Sequence, residues 1–255
     1  MARFRPIDHE ERLALVDHLG ELRSRLIISV IAFAITSGFC WWQNDVILKI
    51  INKPLPENIP QPITFGVTEQ FTTTLMVSAY AGILLALPVI LYQLYAFILP
   101  AFSPKERKVA TPLLLMVPVL FIAGVVFCYF VVLPGAITFL LDFNSDEFRT
   151  EVRARDYYSF TTLTMLAMGL GFQVPIGVLA LVKLGVTTPK KLRKSRRYAY
   201  LGIVILAAFL PTIDPVTLLL ESIPLILLYE GSIWLSAALV KPDAPTTELA
   251  GAEST

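Results

Sequence analysis

Long apolar runs separated by polar connections dominate this chain. A helix of about 20 apolar residues crosses a hydrocarbon core of ~30 Å, and the first four runs reach that length when tilt is allowed. We predict an all-α, polytopic membrane protein with six transmembrane helices, at roughly residues 26–43, 74–99, 109–133, 158–182, 198–211 and 216–239.

The fifth run is short, because its fourteen residues extend over only ~21 Å as a helix. We expect either a re-entrant segment or a span in a locally thinned bilayer, and we allow for a short sixth span as well. The sixth run contains two acids, Glu221 and Glu230. Counted from Pro215, Glu230 lies ~22 Å along the helix, which is near the inner interface of a thinned bilayer but buried in a full one.

Lysine and arginine are unevenly distributed between alternate connections. Of the 21 such residues, 16 precede the first run, follow the sixth, or lie between the second and third or the fourth and fifth. Positive residues accumulate on the cytoplasmic side of membrane proteins, so we predict that both the N- and C-termini are cytoplasmic. Residues 241–255 show no apolar periodicity, and we predict a disordered tail after one membrane domain formed by residues 1–240.

Composition excludes several classes of protein. Hydrophobic residues make up 55% of the chain and charged residues 16%, whereas a soluble domain carries about 25% charge. Cys40 and Cys128 lie in apolar runs and are expected to be packed thiols. His9 and His18 both precede the first run, which argues against a metal cluster and a Ser–His intramembrane protease. Since P-loop motifs and basic, aromatic-rich grooves are also missing, we expect no enzyme activity, cofactor, metal or nucleic-acid partner.

An acid stands among the arginines that precede the first run. In HLGELRSRL, residues 18–26, Glu21 lies between His18 and two arginines, Arg23 and Arg25. One interpretation is an intrahelical ion pair with Arg25, four residues further on. The other is that the carboxylate binds an arginine from outside the chain, because a guanidinium presents a planar fork of donors that a carboxylate accepts bidentately.

A second acid, Glu106, is expected on the same face of the membrane as Glu21. In SPKE, Ser103 is a suitable helix cap, Pro104 suits the first helical position and Glu106 the third, which is the pattern of a capping box. Glu106 therefore has a structural interpretation as well, although the predicted topology brings it to the cytoplasmic side.

HLGELRSRL and YQLYAFILPAFSPKER, residues 92–107, together resemble the TatC family, the multi-span receptors of the twin-arginine protein export system. The resemblance extends to GFQVPI, residues 171–176, and LPTIDP, residues 210–215, and covers roughly residues 12–240. It implies a core translocase subunit that binds signal peptides with two adjacent arginines and nucleates a passage for folded proteins.

The resemblance also implies partners and a location. Such a subunit works with TatA-like and TatB-like single-span subunits and with copies of itself, surrounded by lipid in the bacterial cytoplasmic (inner) membrane. The proton-motive force is the implied driving force. The alternative is a small-solute secondary transporter, which would bind its substrate near the midplane, often on broken helices, whereas the distinctive acids here are expected at the cytoplasmic rim.

Four residues are expected to bind the signal peptide. Glu21 and Glu106 match the family's two signal-recognition acids, Phe97 matches an aromatic residue near that site, and Arg23 lies in the first motif.

Four further residues are expected to serve partners or transport: Pro54, Gln173, Asp214 and Glu230. Gln173 replaces a residue that is often glutamate in the family, and its amide is expected either to face a concave interior or to make a hydrogen bond within the subunit. Asp214, followed by Pro215, is also typical of a helix N-cap.

Overall fold

The computed structural model describes residues 9–56, 59, 61–98, 104–148, 150–183, 185–208 and 214–239, without the side chains of residues 9–17 and 104–110. In this part of the chain the all-α prediction is confirmed, and five helical stretches are long and apolar enough to cross a membrane. The predicted tail, 241–255, lies outside it. The elements are α1 (His9–Trp42), α2 (Asn44–Asn52), α3 (Glu69–Ile98), α4 (Pro104–Phe127), a π-helical segment (Cys128–Val132), α5 (Leu133–Asp142), α6 (Ala154–Gly171), α7 (Val174–Lys183), α8 (Pro189–Lys194), α9 (Arg196–Ala208) and α10 (Pro215–Leu239).

Successive long helices run in opposite directions, so the bundle has two ends. We call the first the His18 end; it contains the start of α1, the end of α3, the starts of α4 and α9, and α8. The second is the Asp214 end; it contains α2 and the starts of α3, α6 and α10. The candidate residues are divided between these two ends.

The most extensive helix contact joins α1 to α3, and Gly82 makes it possible. A Cβ built at Gly82 would lie 2.2 Å from the Oγ and 2.6 Å from the Cα of Ser37. Thr36 Oγ1 donates a hydrogen bond to the carbonyl of Gly82 at 2.7 Å. Small residues let helix backbones approach closely in a membrane, where packing and interhelical hydrogen bonds hold helices together.

The third predicted span, 109–133, is too short. α4, the π-helical segment and α5 continue to Asp142 without a break. Pro134 is disfavoured in a helix interior, but it directly follows the π-helical segment, whose wider turn accommodates it, so the helix continues. Cys128 begins that segment and is fully buried.

The fourth predicted span, 158–182, is two helices, α6 and α7, separated at Phe172 and Gln173. Pro175 lacks an N–H and disfavours the helical conformation of the residue before it, which accounts for a break near this point. The ring of Phe172 fills the break. It packs against Phe127, and a Cβ at Gly124 would lie 2.8 Å from its Cγ.

The fifth and sixth spans differ in length. α9 has 13 residues, or ~20 Å, up to Ala208, and residues 209–213 lie outside the described part of the chain. Even the whole interval 196–213 holds only 18 residues, or ~27 Å, so the prediction of a short fifth span is confirmed. α10 has 25 residues and covers ~37 Å, so the suggestion that the sixth span is also short is wrong. Pro224 lies within α10 without ending it.

A short helix, α2, follows α1 directly and was not predicted from the apolar runs. Ile47 and Ile51 are one turn apart and pack against the core, which makes the helix amphipathic. Its end is fixed by two tyrosines, because Tyr129 donates to the carbonyl of Ile50 and Tyr157 to that of Ile51, both at 2.7 Å.

The two loops at the Asp214 end are tied together. Ile63 forms an isolated bridge with Arg153. The Nε of Arg153 donates to Glu69 at 2.7 Å, while the other carboxylate oxygen of Glu69 accepts the N–H groups of Phe65 and Gly66. These contacts fix the start of α3 relative to the start of α6.

Candidate functional site

Glu21 forms the intrahelical ion pair that its spacing predicts. The Nη2 and Nε of Arg25 both donate to its Oε1, at 2.6 and 3.0 Å. Its Oε2 lies 3.8 Å from the Nδ1 of His18. A third of the Glu21 side chain remains exposed (33%), so the carboxylate is paired but accessible from the His18 end.

Two contacts connect this acid to α3. The Nη1 of Arg25 donates to Oε1 of Gln93 at 2.9 Å. The ring of His18 stacks on that of Phe97, with 4.3 Å between the ring centroids and 12° between the planes. Phe97 and Glu21, which the sequence places 76 positions apart, therefore contact the same histidine.

The other two expected signal-binding residues are less completely described. Glu106 is the third residue of α4, at the His18 end, but its side chain lies outside the described residues, as does Ser103. The capping box and the signal-binding role of Glu106 thus both stay predictions. Arg23 lies on an exposed position of α1.

Gln173 is buried at the break between α6 and α7, with 8% of its surface exposed. Its Nε2 donates to the carbonyl of Val117 at 3.2 Å, so the alternative interpretation, a hydrogen bond within the subunit, is found. Its Oε1 is buried and has no hydrogen-bond partner among the described residues. The amide is therefore half satisfied, and its carbonyl oxygen can still accept one hydrogen bond.

Asp214 and Pro54 both lie at the Asp214 end. Oδ1 of Asp214 accepts the N–H of Thr217 at 2.7 Å, so the interpretation of Asp214 as the N-cap of α10 is confirmed. Pro54 is half-buried in the turn after α2.

Glu230 is paired with residues of α9 near the His18 end of the bundle. It accepts a hydrogen bond from the Nη2 of Arg196 at 2.5 Å and another from the hydroxyl of Tyr200. Arg196 is the first residue of α9, so Glu230 lies level with the beginning of the short fifth span. The geometry gives this acid a structural role in joining α9 to α10.

Two polar contacts were missed by reasoning from the sequence. The first is the hydrogen bond from Arg25 to Gln93. Gln93 lies one helical turn before Phe97 on α3, so the sequence places the two side chains on the same face of the helix, and this spacing could have indicated the contact. The Glu69–Arg153 pair joins the start of α3 to the start of α6, and no spacing in the sequence indicates it.

The His18 end can bind a cation through the carboxylate of Glu21. No group of three or more His, Cys, Asp or Glu side chains that could hold a metal ion occurs among the described residues. A partly exposed carboxylate that already holds one guanidinium, beside a stacked pair of rings, suits an arginine-bearing ligand.

Known proteins resemble the chain over most of its length. The family model described as "Sec-independent protein translocase protein (TatC)" matches residues 17–224. The TatC of Aquifex aeolicus is 39% identical over 227 residues, covering 88% of this chain and 94% of the relative. That of Escherichia coli is 34% identical over 231 residues, covering 89% of each.

A plant relative and a solved structure extend the comparison. The chloroplastic TATC of Pisum sativum is 36% identical over 227 residues, which is 89% of this chain and 64% of that longer protein. A crystal structure of the twin arginine translocase receptor TatC in DDM has a TM-score of 0.77 and 38% identity, covering 86% of this chain and 99% of that one.

Proposed function

Because the chain belongs to the TatC family and is a core subunit of the twin-arginine translocase, we propose that its His18 end binds the twin-arginine signal peptides of cargo proteins. It is a multi-pass membrane protein from a family of translocase components, not a known enzyme family. The ligand proposed here is accordingly a segment of another protein.

One observation carries the proposal: Glu21 binds a guanidinium with one oxygen only. Both contacts from Arg25 are made to Oε1. The Nδ1 of His18 lies 3.8 Å from Oε2, which is beyond hydrogen-bonding distance. A second guanidinium can approach Oε2 from the exposed side without displacing Arg25, and Phe97 supplies an apolar surface beside it.

Two adjacent arginines need two acids, and Glu106 is the proposed second one. The start of α4 places Glu106 at the same end of the bundle as Glu21. Arg23, exposed on α1, lies at the edge of the proposed site. Each charge-assisted hydrogen bond contributes about 1.5–3 kcal/mol, and exposure favours the lower value. Each acid is therefore worth about tenfold in affinity.

We place the His18 end in the cytoplasm of a bacterium and the chain in its cytoplasmic (inner) membrane. The distribution of Lys and Arg supports this orientation, because the basic helix α8 lies at the His18 end.

The proposed partners in the complex are TatA-like and TatB-like single-span subunits and further copies of this chain. α1 supports this, because only 6% of the apolar stretch within His18–Trp42 is buried within the subunit, which leaves most of this helix free to contact another chain. Gln173, with its unpartnered Oε1, and Pro54 are the positions proposed to respond to partners. We propose the proton-motive force as the energy source.

The comparisons give no support to a small-solute secondary transporter. The relatives are named as protein translocase proteins. The paired acids Glu21 and Glu230 lie toward the His18 end, whereas such a transporter binds its substrate near the midplane.

Photo-crosslinking of the purified protein tests signal binding. A photoreactive residue at Leu94, exposed at the His18 end, is expected to crosslink to an Arg-Arg signal peptide and much less to its Lys-Lys counterpart, which keeps the charge but loses the planar fork. The same residue at Leu75, equally exposed but near the Asp214 end of α3, is the matched control. Equal crosslinking of both peptides at Leu94 would contradict the proposal.

A further inference from the structure

Glu221 is a buried acid that no expected role accounts for. It lies on α10 with 0% of its surface exposed. Neither Oε1 nor Oε2 has a hydrogen-bond partner among the described residues. An ionised carboxylate in such surroundings is very costly, and acids inside membrane spans mark functional sites by default.

Polar groups connect Glu221 with the Asp214 end. Asp214, Thr217 and Glu221 are spaced by three and then four residues, so they lie along one face of α10. Oδ2 of Asp214 and Oγ1 of Thr217 are also buried without hydrogen-bond partners in the described part of the chain. The next residue along this face is Leu225, which is buried. The polar face therefore starts at the Asp214 end and stops at Glu221.

No cation among the described residues lies against Glu221. Asp214 on its own helix and Cys128, from the π-helical segment, interact electrostatically with it. The neighbouring Tyr129 is turned to the carbonyl of Ile50. Both Asp214 and Glu221 can carry only negative charge, so an unprotonated Glu221 would repel Asp214 without any compensating ion pair.

The remaining charged groups on helices packed against α10 lie elsewhere. In α5, Asp142 is seven residues, or ~10 Å, beyond Gly135, where a Cβ would lie 3.2 Å from Cδ1 of Leu220. The other groups are at the His18 end: Lys183 at the end of α7; Lys190, Lys191, Arg193 and Lys194 in α8; and Arg196, Arg197, Tyr198 and Tyr200 in α9. Arg196 and Tyr200 bind Glu230, which is nine residues, or ~13 Å, from Glu221.

We propose that Glu221 is an intramembrane proton-binding site, reached from the Asp214 end along the face that contains Thr217. In the resting protein a proton from the water at that end is bound to a carboxyl oxygen of Glu221, and its release returns it by the same route. This inference rests on burial and on the arrangement of α10, and it does not depend on signal binding at the other end of the bundle.

Infrared spectroscopy of the full chain in lipid tests the protonation directly. The parent at neutral pH is expected to show the C=O stretch of a protonated carboxylic acid, and this band is expected to be lost in Glu221→Gln. Because a neutral amide replaces a neutral acid, Glu221→Gln should also melt close to the parent. Identical spectra of parent and variant would overturn the proposal. If Glu221→Gln does not fold, Glu221→Leu serves for the same comparison.

The route is tested by the rate at which the band responds to a jump in pH. Thr217→Val removes the hydroxyl between Asp214 and Glu221 at nearly constant shape, and it is expected to slow the response several-fold. Ser222→Ala is the matched control, because Ser222 is also buried and without a partner among the described residues but lies off this face. Equal rates in Thr217→Val and the parent would contradict a route along this face.

Discussion

The imidazole of His18 stacks almost parallel to the ring of Phe97, with 4.3 Å between the two centroids. The stack joins the beginning of α1 to the end of α3, and the same histidine lies 3.8 Å from Oε2 of Glu21. His18 therefore positions Glu21, the proposed signal-binding acid, next to the end of α3.

Removal of the ring at Phe97 is expected to weaken both the bundle and the site. Phe97→Ala should destabilise the protein by about 0.5–1.5 kcal/mol beyond the loss of buried area, which is the usual value of an aromatic pair, and should lower signal-peptide affinity. Phe97→Tyr keeps the stacked ring and is the control. Thermal melting and peptide titration measure the two effects. If Phe97→Ala melts and binds the signal peptide like the parent, the stack of His18 on Phe97 contributes neither to stability nor to the position of Glu21.

Close packing of α1 on α3 gives a second prediction. Gly82→Ala should destabilise the protein by about 1–3 kcal/mol, because the added methyl meets the backbone of Ser37 at 2.6 Å. Gly38→Ala is the matched control, since a Cβ there has nothing within 4 Å. The melting temperatures of the two solubilised variants measure the effect. Equal melting temperatures would contradict the prediction, because they would show that close packing of α1 on α3 at Gly82 does not contribute to stability.

Substitution of Glu230 and of its partner Arg196 distinguishes a structural role of this acid from a role in transport. Glu230→Gln and Arg196→Gln should each destabilise the protein by about 1–2 kcal/mol, because the pair is only partly exposed. The double variant should melt little below either single one, since both remove the same interaction. If Glu230→Gln instead melts like the parent but abolishes export, the acid acts in transport.

The orientation of the chain can be checked by cysteine labelling on intact cells. Ser145→Cys, in the turn after α5, is expected to react with an impermeant thiol reagent, whereas Ser195→Cys, between α8 and α9, should react only after permeabilisation. Cys40 and Cys128 are fully buried and should contribute little background. Labelling of Ser195→Cys in intact cells would reverse the proposed topology.

Much of the fold was predictable from the sequence, because apolar length and charge distribution are properties of the chain alone. The short fifth span followed from the length of its run, and the N-cap at Asp214 from the Asp-Pro pair. Helix boundaries were less predictable. Pro134 marks no end, because the π-helical segment before it absorbs the change in geometry, and the break at Phe172 depends on a ring packing beside Gly124.

The candidate site was predictable in its residues but not in its contacts. The spacing of Glu21 and Arg25 indicated their ion pair. The stack of His18 on Phe97 and the link from Arg25 to Gln93 depend on how α1 lies against α3, which the sequence does not specify. Glu230 illustrates the same limit, since its partner Arg196 is 34 positions away on another helix.

Glu106 has two possible roles, and two substitutions separate them. If it is only half of a capping box, glutamine should replace it well, because Gln at the third helical position can also reach back to the N–H of the cap. Ser103→Ala removes the cap at a cost of about 1 kcal/mol but leaves the carboxylate in place. We expect Glu106→Gln to fold normally and lose signal binding, and Ser103→Ala to bind nearly as well as the parent with slightly lower thermal stability.

The affinity of an Arg-Arg signal peptide, measured at fixed low salt for the parent, Glu21→Gln, Glu106→Gln and the double variant, tests the central claim most directly. Each single substitution keeps the shape of the side chain but removes its charge and one acceptor oxygen, so each should weaken binding about tenfold. The double variant should bind more weakly than either single one, and the Lys-Lys peptide should discriminate little among the four proteins. An unchanged affinity for the Arg-Arg peptide in both Glu21→Gln and Glu106→Gln would contradict recognition of the signal by these two carboxylates.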